Sequence, residues 1–226
     1  MKVNTKKAAE IAGAVLIVVV ITAMLWFIIT KKNNTDTGKK SFCFDGTWLI
    51  YQYGETHILD EFMVFDGKQI ADYRGNNSDA YFTAEFTYEN GELQIESISK
   101  SFSVKILSEY RVSLVEPDTR EWKMLRVSKG KFDEIEQVTA PAMVGSYRVI
   151  SVANTARSGE NIIFSRTELE DLRDGESYMR CTYQISEHYM KIENLEEDYL
   201  VYKIEDMIFL IGMDTGYVWE LQMIES

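Results

Sequence analysis

Cysteine, proline and histidine each occur only twice in the 226 residues, and basic side chains are in deficit. Two cysteines exclude a disulfide-built scaffold and a cysteine-rich zinc module. The two histidines, His57 and His188, lack the short spacing that sets two imidazoles on one metal. With 24 Lys and Arg against 36 Asp and Glu, the net charge is −12. That excludes nucleic-acid binding by phosphate neutralisation, which needs a basic face. Catalytic signatures are missing too: no Gly-x-Ser-x-Gly elbow supports a Ser–His–Asp triad, and the sequence implies no cofactor. What the chain does have is a hydrophobic share of 46% with 12% aromatic, far from a disordered composition.

Residues 8–30 read AAEIAGAVLIVVVITAMLWFIIT, uncharged from Ile11 to Thr30. Twenty such residues at about 1.5 Å each span roughly 30 Å, the thickness of a bilayer's hydrocarbon core. Lys2, Lys6 and Lys7 precede the run, Lys31 and Lys32 close it, and Trp26 and Phe27 sit where aromatic rings favour the interface. A cleaved signal peptide would have an apolar region of only ~7–15 residues with small residues at the cut. Here Ala12 and Ala14 precede the apolar core, and Cys43 lies too far downstream to be lipidated. The length predicts an uncleaved single-pass anchor over 8–30, behind a cytoplasmic tail 1–7 and before a polar tether 31–41. Long downstream domains translocate largely regardless of flanking charge, so the remainder is expected outside the cytoplasm. Residues 1–40 hold seven Lys and two acids, so the remaining 17 basic and 34 acidic residues carry a net −17. A domain this acidic is drawn to cationic partners.

The chain beyond the tether divides into two similar halves, 42–128 and 144–226, joined by a linker 129–143. Gly46-Thr47-Trp48 matches Gly145-Ser146-Tyr147 at an offset of 99, as do Phe65 with Phe164 and Arg74 with Arg173. A two-residue deletion near Asn76–Asp79 then shifts the offset to 97, where Tyr81 meets Tyr178, Val104 meets Val201 and Trp122 meets Trp219. Constant order with one indel at a polar turn reads as duplication.

Each half alternates as strands do. TWLIYQY, EFMVFDG, KQIADYRG, YFTAEFTYENG, ELQIESIS, FSVKIL, YRVSLVEPD and REWKMLRV are eight short β-rich runs, separated by turns at Asp66-Gly67, Asn90-Gly91 and Glu116-Pro117-Asp118. The second half repeats the series, from YRVISVAN to YVWELQM. Helical period occurs only at Phe132, Ile135 and Val138 in the linker that contains Pro141. The expectation is an all-β chain of two tandem antiparallel eight-stranded barrels behind a transmembrane helix.

Gly46-Thr47-Trp48, opening the first strand of an eight-stranded unit, resembles the Gly-X-Trp that opens lipocalin and other calycin barrels. The resemblance implies that Trp48 plugs the closed barrel end and that Arg126, in Trp122-Lys123-Met124-Leu125-Arg126, stacks over it. In the second repeat Tyr147 replaces the Trp, and Met223 stands where Arg126 would align. Both repeats are shorter than true lipocalins and are similar to the small lipocalin-like domains of bacterial envelope proteins. The resemblance implies a binding barrel whose structural residues are Gly46, Trp48, Trp122, Arg126, Gly145, Tyr147 and Trp219. It identifies no ligand.

Other constellations have two readings each. Asp214-Thr215-Gly216 matches the aspartic-protease tripeptide, but that chemistry needs two carboxylates sharing a proton, and the second copy, Asp36-Thr37-Gly38, lies in the tether. A hairpin turn is the alternative. Cys43 and Cys181 could form a bridge between the repeats, or Cys181 could be a small buried hydrophobe. The acidic runs Glu168–Asp171 and Glu196–Asp198 lack the ordered oxygens of a calcium loop and read as solvated strand ends, so no metal site is expected. Both histidines read as solvated loop residues.

Two functions of different class fit these features. One is a membrane-anchored, extracytoplasmic, non-enzymatic binding protein that holds a small apolar ligand in a sizeable cavity of at least one repeat. The other is an acidic module for a basic protein partner, such as an immunity or inhibitor protein, with filled barrels and a continuous acidic surface.

Overall fold

The computed structural model describes residues 42–75 and 77–224. The tail 1–7, the apolar span 8–30 and the tether 31–41 lie outside the described residues. Among the described residues, no helix is long and apolar enough to cross a membrane.

Alternation and turn chemistry set the strands. In Phe82–Glu89, Ala84 and Phe86 are buried while Thr83, Glu85 and Thr87 are exposed, the two-residue period of a half-buried strand. Asn90-Gly91 then turns the chain with φ of 54° and 84°, the left-handed pair that a tight hairpin needs. Eight strands arise in this way: β1 (Gly46–Tyr53), β2 (Thr56–Asp66), β3 (Gln69–Arg74), β4 (Phe82–Glu89), β5 (Glu92–Ile95), β6 (Lys100–Ile106), β7 (Arg111–Val115) and β8 (Glu121–Ser128). Each pairs antiparallel with the next, and β8 returns to β1 to close a barrel.

The second half forms β9 (Gly145–Val152), the two-residue β10 (Thr155–Ala156), β11 (Glu160–Phe164), β12 (Glu168–Arg173), β13 (Glu176–Ser186), β14 (Tyr189–Ile192), β15 (Asp198–Ile204), β16 (Met207–Gly212) and β17 (Val218–Met223). Here β17 pairs with β9, closing a second antiparallel barrel of eight strands, with β10 added beside β9. The fold is therefore all-β, two closed eight-stranded barrels in tandem. The registers are duplicated as well. Trp48 lies opposite Arg126 as Tyr147 lies opposite Met223, and Tyr53 lies opposite Trp122 as Val152 lies opposite Trp219.

Both barrels are filled and capped by side chains. Trp48, Phe65, Ile70, Leu93, Phe102 and Met124 are at most 1% exposed along the first axis. Phe44, ahead of β1, seals one end against Trp48, Phe65 and Phe86, at ring separations of 5.9, 5.0 and 6.4 Å. The matching end of the second barrel is sealed by the linker. It forms a single-turn 3-10 helix at Phe132–Glu134 and a four-residue helix at Ala140–Met143, with Val138 and Met143 joining the second core. Phe132 stays with the first barrel, its ring 4.8 Å from that of Tyr73.

Strands β1 and β16 are buried on both faces, which alternation alone does not predict. The reason is that the barrels pack outer wall against outer wall. Leu49, Tyr51, Phe62, Leu125 and Val127 from β1, β2 and β8 meet Leu200, Tyr202, Met207, Phe209 and Ile211 from β15 and β16. Burying each large side chain stabilises by about 1.5–3 kcal/mol, so this seam is a core of its own, apart from the two barrel interiors, and not a loose contact. One ion pair is sealed within it. Arg111 Nη1 lies 2.6 Å from Glu220 Oε1, with the side chains 3% and 9% exposed. Nη2 donates to Tyr51 Oη at 3.4 Å and to Asn154 Oδ1. Burial pushes the Tyr51 phenol up, against the pull of Arg111.

Gly46 begins the first barrel at φ 121°, and a Cβ placed there would lie 2.5 Å from the Ser128 carbonyl oxygen. Gly46→Ala is expected to destabilise by about 2–4 kcal/mol, from strained backbone plus the clash where β1 meets β8. The midpoint of urea unfolding checks this, and an unchanged midpoint would count against it.

Candidate functional site

The end of the first barrel away from Trp48 is where polar chemistry enters the core. Along β2 the inward positions run Phe65, Met63 and then Glu61; along β3 they run Ile70, Asp72 and Arg74. An aspartate at a core position is costly to desolvate unless it is paired. Asp72 is 0% exposed, and Arg74 reaches back along its own strand to place Nε 3.2 Å from Asp72 Oδ2. The same guanidinium lies 3.4 Å from Glu61 Oε1, and its Cζ stands 4.1 Å from the centre of the exposed Tyr81 ring. Asp72 Oδ1 has no hydrogen-bond partner among the described residues. Burial pushes the Glu61 carboxyl up, Asp72 pushes it further and Arg74 pulls it back. Burial likewise raises Asp72 against Arg74.

The arrangement recurs in the second barrel with the same residue types. Arg173 Nη2 lies 3.2 Å from Asp171 Oδ2 and 3.9 Å from Glu160 Oε1, with its Cζ 3.5 Å from the Tyr178 ring centre. Asp171 is 3% exposed and its Oδ1 is likewise without a hydrogen-bond partner among the described residues. Sequence reasoning paired Arg74 with Arg173 and Tyr81 with Tyr178 but missed both acids. The signal was present: Glu61 and Asp72 recur at the offset of 99 as Glu160 and Asp171.

Beside Glu61 and Arg74 the first barrel opens into a cavity of about 200 Å³, walled by Ile50, Tyr53, Ile58 and Trp122. The Tyr53 and Trp122 rings meet edge to face at 5.3 Å. Behind them, buried Glu116 accepts from Trp122 Nε1 and Lys100 Nζ, both at 2.8 Å, and lies 3.0 Å from Arg120. Arg120 is also 2.6 Å from Asp118, so these two cations are matched by two carboxylates. The site combines an apolar, aromatic wall with carboxylates held by one guanidinium, and it presents no nucleophile beside a base. Among the described residues no group of three His, Cys, Asp or Glu could hold a metal ion.

The residues expected at the barrel ends divide between the two ends. Trp48 is fully buried at the sealed end, donating from Nε1 to the Phe44 carbonyl at 2.6 Å, and the Arg126 guanidinium stands 4.5 Å from its ring centre. Gly145 and Tyr147 occupy the same end of the second barrel, where the Tyr147 ring lies 5.7 Å from that of Phe164. Trp122 and Trp219 belong to the other end, and only Trp122 lines the cavity. No disulfide joins Cys43 to Cys181. Cys43 is exposed ahead of β1, whereas Cys181 faces the core of the second barrel beside Tyr183, and burial pushes its thiol up. The histidines need correcting as well. His188 stacks on Tyr202 at 4.7 Å, and burial pushes its imidazole below the ordinary value. His57 abuts Gly216, across the seam between the barrels. Asp214-Thr215-Gly216 itself is the turn between β16 and β17, held by Thr215 N donating to Glu197 at 2.7 Å.

Comparison with protein-family models, with curated proteins and with solved structures gives no match. Fold and site together define the class: a tandem pair of filled antiparallel β-barrels with a carboxylate–arginine mouth in each.

Proposed function

We propose that the chain is a non-enzymatic binding protein, anchored in the cell membrane by residues 8–30 with its lipocalin-like barrels outside the cytoplasm, and that its partner is a basic protein. The filling of the barrels carries this reading. Trp48, Phe65, Phe102 and their neighbours occupy the axis, so recognition falls to the mouth and the outer walls. Charge supports it: residues beyond 40 carry a net −17. On the outer face of the β4–β5 hairpin Glu85, Glu89, Glu92 and Glu96 are exposed, with Glu89 directly opposite Glu92. None of the four makes an ion pair among the described residues. Like charges facing each other across a hairpin destabilise it, and a cationic partner relieves the repulsion.

The test is binding of protamine, an arginine-rich protein, to the full chain in detergent micelles. Affinity is expected to fall at least about tenfold between low and physiological salt as exposed charges are screened. Native mass spectrometry of the same preparation is expected to give the mass of the bare chain. A co-purifying apolar molecule, together with no protamine binding, would replace this reading with that of a small-ligand carrier.

A further inference from the structure

The two repeats differ at one informative place in their otherwise matched mouths. Position 58 of the first barrel corresponds to position 157 of the second, because Thr56 pairs with Tyr53 as Thr155 pairs with Val152. The chain from there to the paired glutamates has the same length, Ile58 to Glu61 and Arg157 to Glu160. The Gly75 and Asp174 amides donate to the matching carbonyls of Asp60 and Gly159, both at 2.7 Å. In the second barrel Arg157 Nε stands 4.0 Å from Glu160 Oε2, so Glu160 lies between two guanidiniums, those of Arg157 and Arg173. In the first barrel isoleucine replaces that arginine, and Glu61 has Arg74 alone.

The charge around each mouth follows from this exchange. Glu61 and Asp72 pair with Arg74 in the first barrel, and Asp60 precedes Glu61 at the corner; Glu160 and Asp171 pair with Arg173 in the second, Glu160 also with Arg157, and Asp174 stands at the matching corner. The corner acid changes strand, Asp60 with Gly75 becoming Gly159 with Asp174, so the net difference is one positive charge. Lys100 and Arg120, the other cations near the first mouth, are matched by Glu116 and Asp118. Where the second barrel has a guanidinium, the first has a cavity of about 200 Å³ with Ile50, Ile58, Tyr53 and Trp122 as walls. Aliphatic and aromatic walls leading to a carboxylate suit a side chain with an apolar stem and a cationic head.

We propose that the mouth of the first barrel receives the guanidinium or ammonium group of a basic side chain presented by a protein partner, at the position where the second barrel carries Arg157 beside Glu160. This rests on the reading of the chain as a receptor for a basic protein, and it names the point of contact.

The test uses the full chain in detergent micelles and titrates three probes: a short arginine-containing peptide, its citrulline counterpart, and capped arginine alone. The peptide is expected to bind one-to-one, and the citrulline peptide at least about tenfold more weakly, since it keeps the shape and loses the charge. Ile58→Arg installs the cation of the second repeat and is expected to weaken the peptide at least tenfold while the fold survives thermal unfolding unchanged. Glu61→Gln gives a second, near-isosteric loss. Arg157→Ile is expected to add a second, weaker equivalent. Equal binding of the citrulline peptide, or binding unaffected by both Ile58→Arg and Glu61→Gln, overturns the site. Capped arginine binding as tightly as the peptide overturns the partner assignment in favour of a free small cation. If protamine binds the wild type and both variants alike, this site fails while the basic-partner reading stands; if it binds none of them and no peptide binds, both fail.

Discussion

Replacing Arg111 with methionine is expected to cost roughly 3–5 kcal/mol, because it leaves the Glu220 carboxylate buried without its counter-charge. The pair lies in the seam between the barrels at 2.6 Å with neither side chain more than 9% exposed, so the carboxylate loses its counter-charge where little solvent reaches it. Tyr51 and Asn154 lose a donor at the same time. The double variant Arg111→Met, Glu220→Leu is expected to recover most of the loss, since removing both charges also removes the cost of desolvating them. Urea unfolding followed by tryptophan fluorescence checks both. Trp48 and Trp122 lie in the first barrel and Trp219 in the second, so loosening of the seam should also separate one transition into two. A single variant with an unchanged midpoint would show that solvent reaches the pair.

Truncating Trp48 to alanine is the second large effect, about 3–5 kcal/mol from lost burial and the cavity left behind. The side chain is fully buried, its indole nitrogen donates to the Phe44 carbonyl at 2.6 Å, and Phe44 in turn packs on Phe65, Phe86 and Tyr88. Removing the indole therefore unseats the aromatic seal at that end and takes the ring from beneath the Arg126 guanidinium, 4.5 Å away. The same urea experiment measures it. A shift below about 1 kcal/mol would mean that Phe44 and its neighbours collapse into the space.

Strand number and order were legible because one face of most strands meets water. Phe82–Glu89 alternates, the turn at Asn90-Gly91 is unambiguous, and the matched Gly-X-aromatic starts fix where each barrel begins. The seam was not legible in the same way. Met207–Gly212 is a continuous apolar run that fits burial on both faces, but nothing in its composition says which outer wall will cover it. The mouth was legible in part. Glu61 and Asp72 recur in register with Glu160 and Asp171, yet acidic residues near strand ends ordinarily face solvent. Only their parity with Phe65 and Ile70 turns them inward. Cys181 shows the same dependence: its parity with Tyr183 commits the thiol to the second core. The proposed anchor over 8–30 lies outside the described residues, and its length and flanking lysines are what point to it.

The seam joins unlike surfaces: the first barrel contributes mainly the outer wall of β1, β2 and β8, with Arg111 of β7, whereas the second contributes mainly that of β15 and β16, the counterparts of β6 and β7, with Val218 and Glu220 of β17. A head-to-tail joint of that kind has no symmetry to close it and would let unit after unit add on. The sequence stops this at both free faces. Where the first barrel shows Leu49, Phe62 and Leu125 to its neighbour, the second shows Arg148, Asn161 and Gln222 at the matching register positions. Where the second shows Leu200 and Tyr202, the first shows the exposed Ser103 and Lys105. Two copies of one domain have diverged into a left piece and a right piece, each with its own mating wall.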